Sequence, residues 1–332
     1  LAVYYQPTHF SNVAHMINGV KACLAYCEKN YSKYQHKQLN VVEYARSVGD
    51  YAQSFAGFIP YSELGFMLDI DSTGVRGLNL PFIGAAHEMA HQWWGMQVIP
   101  ADVNGSKLVT ESMAEYVALK VLQHAYGNEK ALLYLEKAHN TYLQKCINDD
   151  TNELPLIINT GNNKAHIPYQ KGMLALNTMC YYLGEKNLNK ALKNYINMVH
   201  KQQAPYTTSI QLINGIKQAT PDSLKYLIKD LFEDVILYDN KILKSNVVKL
   251  KNGDYEVEVE MQFNKLRKSE NGFKPLPMQD AFFELGIYDE KSNALPTLIK
   301  TIKIAKQHSR QKFVVKFKPS KIVIDPLLLM LD

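Results

Sequence analysis

His87-Glu88-Met89-Ala90-His91 sets two imidazoles four residues apart, with a carboxylate beside the first. On an α-helix that spacing puts both rings on one face, one turn apart, where they can converge on a single metal ion. Glu88 would then stand beside the metal as general base on a metal-bound water. Five residues can match by chance, so the reading needs a third ligand. Glu111 offers one: nineteen residues separate it from His91, enough for a helix end, a loop and an antiparallel return. Glu115 lies one turn further along the same face. One of these carboxylates would bind the metal and the other would fix the tautomer of a ligand histidine. Glu111 is the favoured ligand, although the two could exchange roles. Imidazole and carboxylate donors at these spacings suit Zn²⁺, one per chain.

These residues need helices to hold them. Pro81-Phe82-Ile83-Gly84-Ala85-Ala86 suits the start of a buried helix, and Trp93-Trp94-Gly95 its end. Apolar residues recur at three and four over 13–31, 109–126, 128–146, 171–183, 187–201, 208–218 and 221–232, with loops at 148–152 and 159–163. Segments 39–44 and 51–67 are rich in β-branched and aromatic residues and read as strands beside the first helices. From about residue 237 the period changes to two, with strands expected at 255–263, 282–288, 297–304, 312–317 and 321–324. The fold class is therefore α+β. A mostly helical catalytic domain over 1–240 is followed by a small β-sandwich over 241–332.

With 332 residues, 46% hydrophobic and 21% charged, the chain can bury a sizeable core. Its net charge of +5 is spread out, and no basic tract interleaves with aromatics, so nucleic acid is not an expected partner. No apolar run approaches the roughly 20 residues that span a bilayer, and no cleavable signal opens the chain. The fragment is expected to be soluble. Its start at Leu1 rather than Met reads as a piece of a longer protein. Four cysteines do not make a disulfide framework, and Cys23 and Cys27, four apart on a helix, are badly placed for a bridge.

The run HEMAHQWWG at 87–95 resembles the HExxHxWxG signature of the membrane alanyl aminopeptidase (aminopeptidase N) family of gluzincin zinc metallopeptidases. That family usually has one residue fewer between the second His and the Glu ligand; the spacing here is that of thermolysin-like gluzincins. Thr110-Glu111-Ser112-Met113-Ala114 stands where the family has Asn-Glu-Gly-Phe-Ala, so the resemblance is to a divergent branch. HQWWG, ES-x-AEY and IPYSE are most similar to bacterial peptidase domains fused to transporter-like permeases, which implies a membrane-permease portion in the parent protein.

The resemblance implies a thermolysin-like catalytic fold, zinc, peptide substrates and removal of an N-terminal residue through a zinc-bound water. Ile167-Pro168-Tyr169-Gln170-Lys171-Gly172 is similar to the family's Tyr-x-Lys-Gly segment, which implies that Tyr169 supports the oxyanion. Pro60-Tyr61-Ser62-Glu63-Leu64-Gly65-Phe66 takes the position of the family's Gly-x-Met-Glu-Asn strand. Glu63 is thereby implied to hold the substrate amine, with Gly65 beside it, although Gly-x-Met and Asn are lacking. Two other readings stay open: a thermolysin-like endopeptidase, if Glu63 does not meet an amine, and a non-catalytic peptide-binding or regulatory module of a membrane transport assembly. Only about 60 residues precede Glu63, so most of the family's N-terminal β domain is expected to be absent from this fragment or from the protein, and an open cleft is expected.

Overall fold

Of the chain's opening strands, the one expected at 39–44 forms, and one more at residues 2–4 was not expected. The computed structural model describes residues 1–70, 77–148, 153–160, 164–270, 272–292 and 294–332, so the loops expected at 148–152 and 159–163 fall largely outside them. By compactness the chain forms two units, Leu1–Tyr142 with Leu156–Thr220, and Leu143–Pro155 with Pro221–Asp332.

In the first unit, β1 (Ala2–Tyr4), α1 (Val13–Asn30), β2 (Asn40–Tyr44) and β3 (Phe58–Ser62) open the chain. The three strands pair in parallel in that order. A parallel pair needs a crossover, and α1 supplies the first. The strand expected over 51–67 is confined to β3. Ser62 Oγ accepts from the Leu64 N–H at 3.4 Å and turns the chain into a short helix, α2 (Glu63–Met67). Ahead of β3, Gly57 takes φ +69° and folds segment 51–55 back on it, with antiparallel bridges Ala52–Tyr61 and Phe55–Phe58.

Asn79 Oδ1 accepts from the Phe82 N–H at 3.1 Å and starts α3 (Leu80–Ala90), which carries His87 and is capped at its C-terminal end by His91. The chain continues through α4 (Met113–Tyr126), α5 (Asn128–Asn148), α6 (Gly172–Leu183), α7 (Glu185–Val199) and α8 (Ser209–Gln218). Gly127, at φ +87°, ends α4 as its position predicts. Trp93, Trp94, Tyr31, Tyr116 and Phe82 are buried in the core of this unit. Gly19 lets α1 lie directly on α3: a Cβ there would stand 2.3 Å from the Phe82 carbonyl oxygen.

The second unit holds α9 (Lys225–Ile228) and strands β4 (Ile236–Lys249), β5 (Tyr255–Ser269), β6 (Gly272–Leu276), β7 (Ala281–Tyr288), β8 (Leu298–Ile304), β9 (His308–Val315) and β10 (Lys321–Ile324). One sheet runs β4-β5-β6 with β9 also on β5; the other runs β10-β7-β8. Along β5 the residues Val257, Val259, Met261 and Phe263 are buried, and glutamates that alternate with them pair across to β9, Glu258 with Arg310 at 2.7 Å and Glu256 with Lys312 at 2.9 Å. Rings from the two sheets meet at Phe263–Phe283, 4.7 Å between centroids. The units divide at 220/221 rather than at the expected 240/241. The reason is polar: Asp230 receives Lys265 Nζ at 2.7 Å and Tyr238 Oη at 2.8 Å, and Tyr226 Oη accepts from the Phe282 N–H at 2.8 Å. These bonds tie residues 221–235 to the strands. The four cysteines are buried, and none of them forms a disulfide. Among the described residues no helix is long and apolar enough to cross a membrane.

Gly19→Ala should lower the unfolding free energy by roughly 1–3 kcal/mol, since neither helix backbone can give way without repacking. Chemical denaturation reads this directly; an unchanged midpoint would show that α1 and α3 can separate freely.

Candidate active site

Two imidazoles and one carboxylate meet at the end of α3. His87 Nε2 and His91 Nε2 stand 3.1 Å apart, and Glu111 Oε2 lies 3.6 Å from the first and 3.4 Å from the second. The other ring nitrogens are engaged. His91 Nδ1 lies 3.0 Å from the Trp94 carbonyl oxygen, and His87 Nδ1 lies 2.6 Å from Glu115 Oε2. A carbonyl only accepts, and so does an ionised carboxylate, so in the neutral rings both Nδ1 atoms carry the proton and both Nε2 atoms present lone pairs. Three electron-rich atoms thus face one point, which calls for a positive charge. A tetrahedral zinc with ligands at about 2.0–2.2 Å holds them roughly 3.3–3.5 Å from one another. The observed triangle has that size, so the donor set fits the ion.

The field around the triangle points the same way. Burial alone works against charge on His87, but Glu111 and Glu115 outweigh it and raise its pKa well above the usual value. Burial would push Glu111 up, yet the two histidines pull it far below the carboxylate range. Without a metal the cluster takes up a proton instead; either way it gathers positive charge. Glu88 is buried next to His87, and its Oε2 has no hydrogen-bond partner among the described residues. Burial raises its pKa, against the pull of His87 and His91.

Glu111 and Glu115, interchangeable on spacing, are separated by the geometry: Glu111 faces both Nε2 atoms, and Glu115 takes the Nδ1 side of His87. Glu115 is itself held by Tyr134, whose hydroxyl donates to Oε1; nothing in the sequence marked this tyrosine. Tyr169 stacks on His87, with centroids 5.7 Å apart and planes at 13°, and stands beside Glu111. Burial, and then the charge of Glu111, push its pKa up, so it stays a phenol.

Glu111 and Tyr169 both sit in π-helical turns, Leu108–Ser112 ahead of α4 and Ile167–Lys171 ahead of α6. Such single turns recur at functional sites because they aim side chains an α-helix would place elsewhere. A π turn also holds one residue more than an α turn, a physical account of the longer spacing from His91 to Glu111. The two turns are joined by Ser112 Oγ, which donates to the Pro168 carbonyl at 2.6 Å.

The cluster opens into a cleft of about 740 Å³, also lined by Tyr51, Gln53, Ser54, Met96 and Lys107. Glu63 and Gly65, expected at the substrate, are not among its lining residues. Glu63 is the first residue of α2, where it accepts from the Arg46 N–H at 3.0 Å, clusters with His9 and Glu43, and with Glu43 lines a separate cavity of about 290 Å³. The turn from β3 into α2 carries its side chain to that cavity. The wall that Glu63 was expected to provide is made by 51–54. Tyr51, Gln53 and Phe55 spend backbone groups on Ser62, Pro60 and Phe58, which leaves those of Ala52 and Ser54 turned away from β3. Gly57 between two aromatic runs was the sequence signal for this hairpin.

Residues 15–231 match the Peptidase family M1 domain. The chain belongs to peptidase family M1. This M1 chain is 23% identical over 226 residues to "Probable aminopeptidase 1" of Saccharolobus solfataricus, covering 64% of the chain and 27% of that protein. Over 144 residues it is 30% identical to the lysine–tRNA ligase of Borrelia garinii subsp. bavariensis, covering 42% of the chain and 27% of the ligase. Among solved structures, Legionella pneumophila aminopeptidase A, determined in complex with aspartic acid, shares its fold with a TM-score of 0.63 at 14% identity, covering 96% of this M1 chain and 34% of the aminopeptidase. The M1 chain therefore spans about a quarter to a third of the length of these proteins.

The triangle predicts that metal-free protein takes up one Zn²⁺ per chain and that a His87→Ala/His91→Ala double variant takes up none, measured by elemental analysis after dialysis. Glu115→Gln should weaken zinc affinity by roughly 10- to 100-fold in a chelator competition, because Glu115 orients His87 and raises its basicity. Unchanged affinity would mean that Glu115 does not support the ligand.

Proposed function

We propose that this M1 chain is a zinc-dependent metallopeptidase, most simply an aminopeptidase, built as a thermolysin-like catalytic unit followed by a β-sandwich. The observation that carries the reading is the triangle of His87, His91 and Glu111 with an unpartnered, buried Glu88 carboxylate oxygen beside it. When bound there, zinc polarises the scissile carbonyl and makes water acidic enough to attack it near neutral pH. Glu88 accepts the proton of the attacking water and hands it to the leaving amine; a carboxyl whose pKa is raised by burial suits both halves of that task. Tyr169 remains protonated and donates a hydrogen bond to the oxygen that gains negative charge. The outward backbone groups of Ala52 and Ser54 suit an extended peptide added as a further strand.

The family match and the Saccharolobus relative favour removal of an N-terminal residue. A second reading, an endopeptidase, is favoured by one observation: Glu63 stands at another cavity, so the expected partner for a free α-amine is not in the cleft. The resemblance of HQWWG and ES-x-AEY to permease-fused peptidase domains supports a membrane-permease portion as the setting of the whole protein.

Paired peptides with free and acetylated N-termini separate the two readings. An aminopeptidase cleaves only the free form, and equal cleavage of both establishes the endopeptidase. Glu88→Gln should keep zinc and lose roughly 10²-fold or more in kcat. Tyr169→Phe should lose roughly 10²–10³-fold, also with zinc retained. Full zinc occupancy in the wild type with no hydrolysis of any peptide would leave a peptide-binding module.

A further inference from the structure

We propose that Lys107 makes the cleft selective for substrates carrying a carboxylate next to the bond to be cleaved. The proposal rests on the peptidase reading for its reaction, but not for its binding chemistry. Lys107 is the one lysine or arginine among the described residues that line the cleft. Its side chain is half exposed, so an incoming molecule can reach it, and its ammonium lies 3.6 Å from Glu111 Oε1. That distance allows Coulomb attraction but is too long for a hydrogen bond. The ammonium therefore brings three donors to the cleft without spending them on Glu111.

Its position is set by the backbone. The Leu108 N–H bonds to the Gly105 carbonyl at 3.0 Å, and the Gly105 N–H to the Asn159 carbonyl at 2.8 Å. This fixes the turn from which the lysine stem leaves, one residue ahead of the π turn. The nearby anions on the cleft wall are Glu88, Glu111 and Glu115. Glu115 is engaged by His87 and Tyr134. A divalent cation in the triangle would engage Glu111 and repel the ammonium, which removes the lysine's nearest partner when the site is loaded. The group that then satisfies Lys107 is an anion supplied by the substrate. A carboxylate fits, either from an acidic side chain flanking the scissile bond or from the C-terminus of a very short peptide. An ordinary surface lysine would face solvent and change nothing in the cleft; this one shares the wall with the metal ligands.

The test compares four peptides on the zinc-loaded protein: Ala-Ala-NH₂ as the neutral reference, Ala-Ala for the terminal carboxylate, and Glu-Ala-NH₂ and Ala-Glu-NH₂ for a side-chain carboxylate on either side of the bond. Hydrolysis is followed as kcat/KM. Binding of the same peptides to a zinc-loaded Glu88→Gln variant is measured by calorimetry. At least one acidic peptide should exceed the reference by roughly 5- to 30-fold, the range of a charge-assisted hydrogen bond discounted for a half-exposed partner. Lys107→Gln should reduce that ratio to within about twofold, and Lys107→Arg should retain most of it. The peptide that carries the preference names the source of the carboxylate. Equal binding of all four peptides, or a preference that survives Lys107→Gln, overturns the proposal. So does an equal loss on all four accompanied by loss of zinc, which would make Lys107 a support for Glu111 alone. Selective binding without hydrolysis would sink the peptidase reading and leave the role of Lys107 standing.

Discussion

Three electron-rich atoms held 3.1–3.6 Å apart are the constraint on which the rest of the first unit depends. Left alone they repel, so the surrounding structure must hold each donor from behind. Trp94 gives His91 a carbonyl to donate to, Glu115 does the same for His87, and Tyr134 holds Glu115 in turn. The pair of tryptophans after the second histidine is part of this support: both are fully buried, and Trp93 Nε1 donates to the Ser32 carbonyl at 3.1 Å. The end of α3 is therefore anchored by packing as well as by hydrogen bonds.

The same arrangement explains the electrical character of the site. Glu88, Glu111 and Glu115 lie in one wall of the cleft, and among the described residues that line it the side chains able to carry positive charge are His87, His91 and the half-exposed Lys107. Such a group would be costly to bury in a neutral setting. It is tolerable because the histidines share a proton with the carboxylates or, on the proposed reading, because a divalent ion balances them. The strongest interactions of the unit and its chemistry thus have one origin.

The convergence of His87, His91 and Glu111 was legible in the sequence because it is local. HEMAH needs only helical periodicity, and Glu111 only a return helix at a plausible distance. The helices were legible for the same reason, down to the Gly127 stop. What could not be read was decided by pairing between distant segments. Whether 51–54 or 60–66 faces the cleft depends on a hairpin at Gly57 and on β3 ending at Ser62, and a shift of a few residues moves a carboxylate from one cavity to another. Strand β4 escaped notice because its buried residues are confined to its first turns of pleat, and a register irregularity between Ile242 and Lys244 breaks the alternation. The division at 220/221 was hidden because helical periodicity over 221–232 says nothing of Asp230 reaching Lys265 on a strand 35 residues later.

Gly172 begins α6 with no side chain, and a Cβ there would stand 2.0 Å from Ser112 Oγ. Ser112 follows Glu111, and Gly172 lies three residues after Tyr169. Any larger residue at 172 must be accommodated by a smaller one at 112, and that change would also remove the hydroxyl that bridges to Pro168. Among relatives of this chain the two positions should therefore drift as a pair, serine with glycine or two small residues together. Variation at one alone would mark lineages in which the carboxylate and the phenol no longer move as one body.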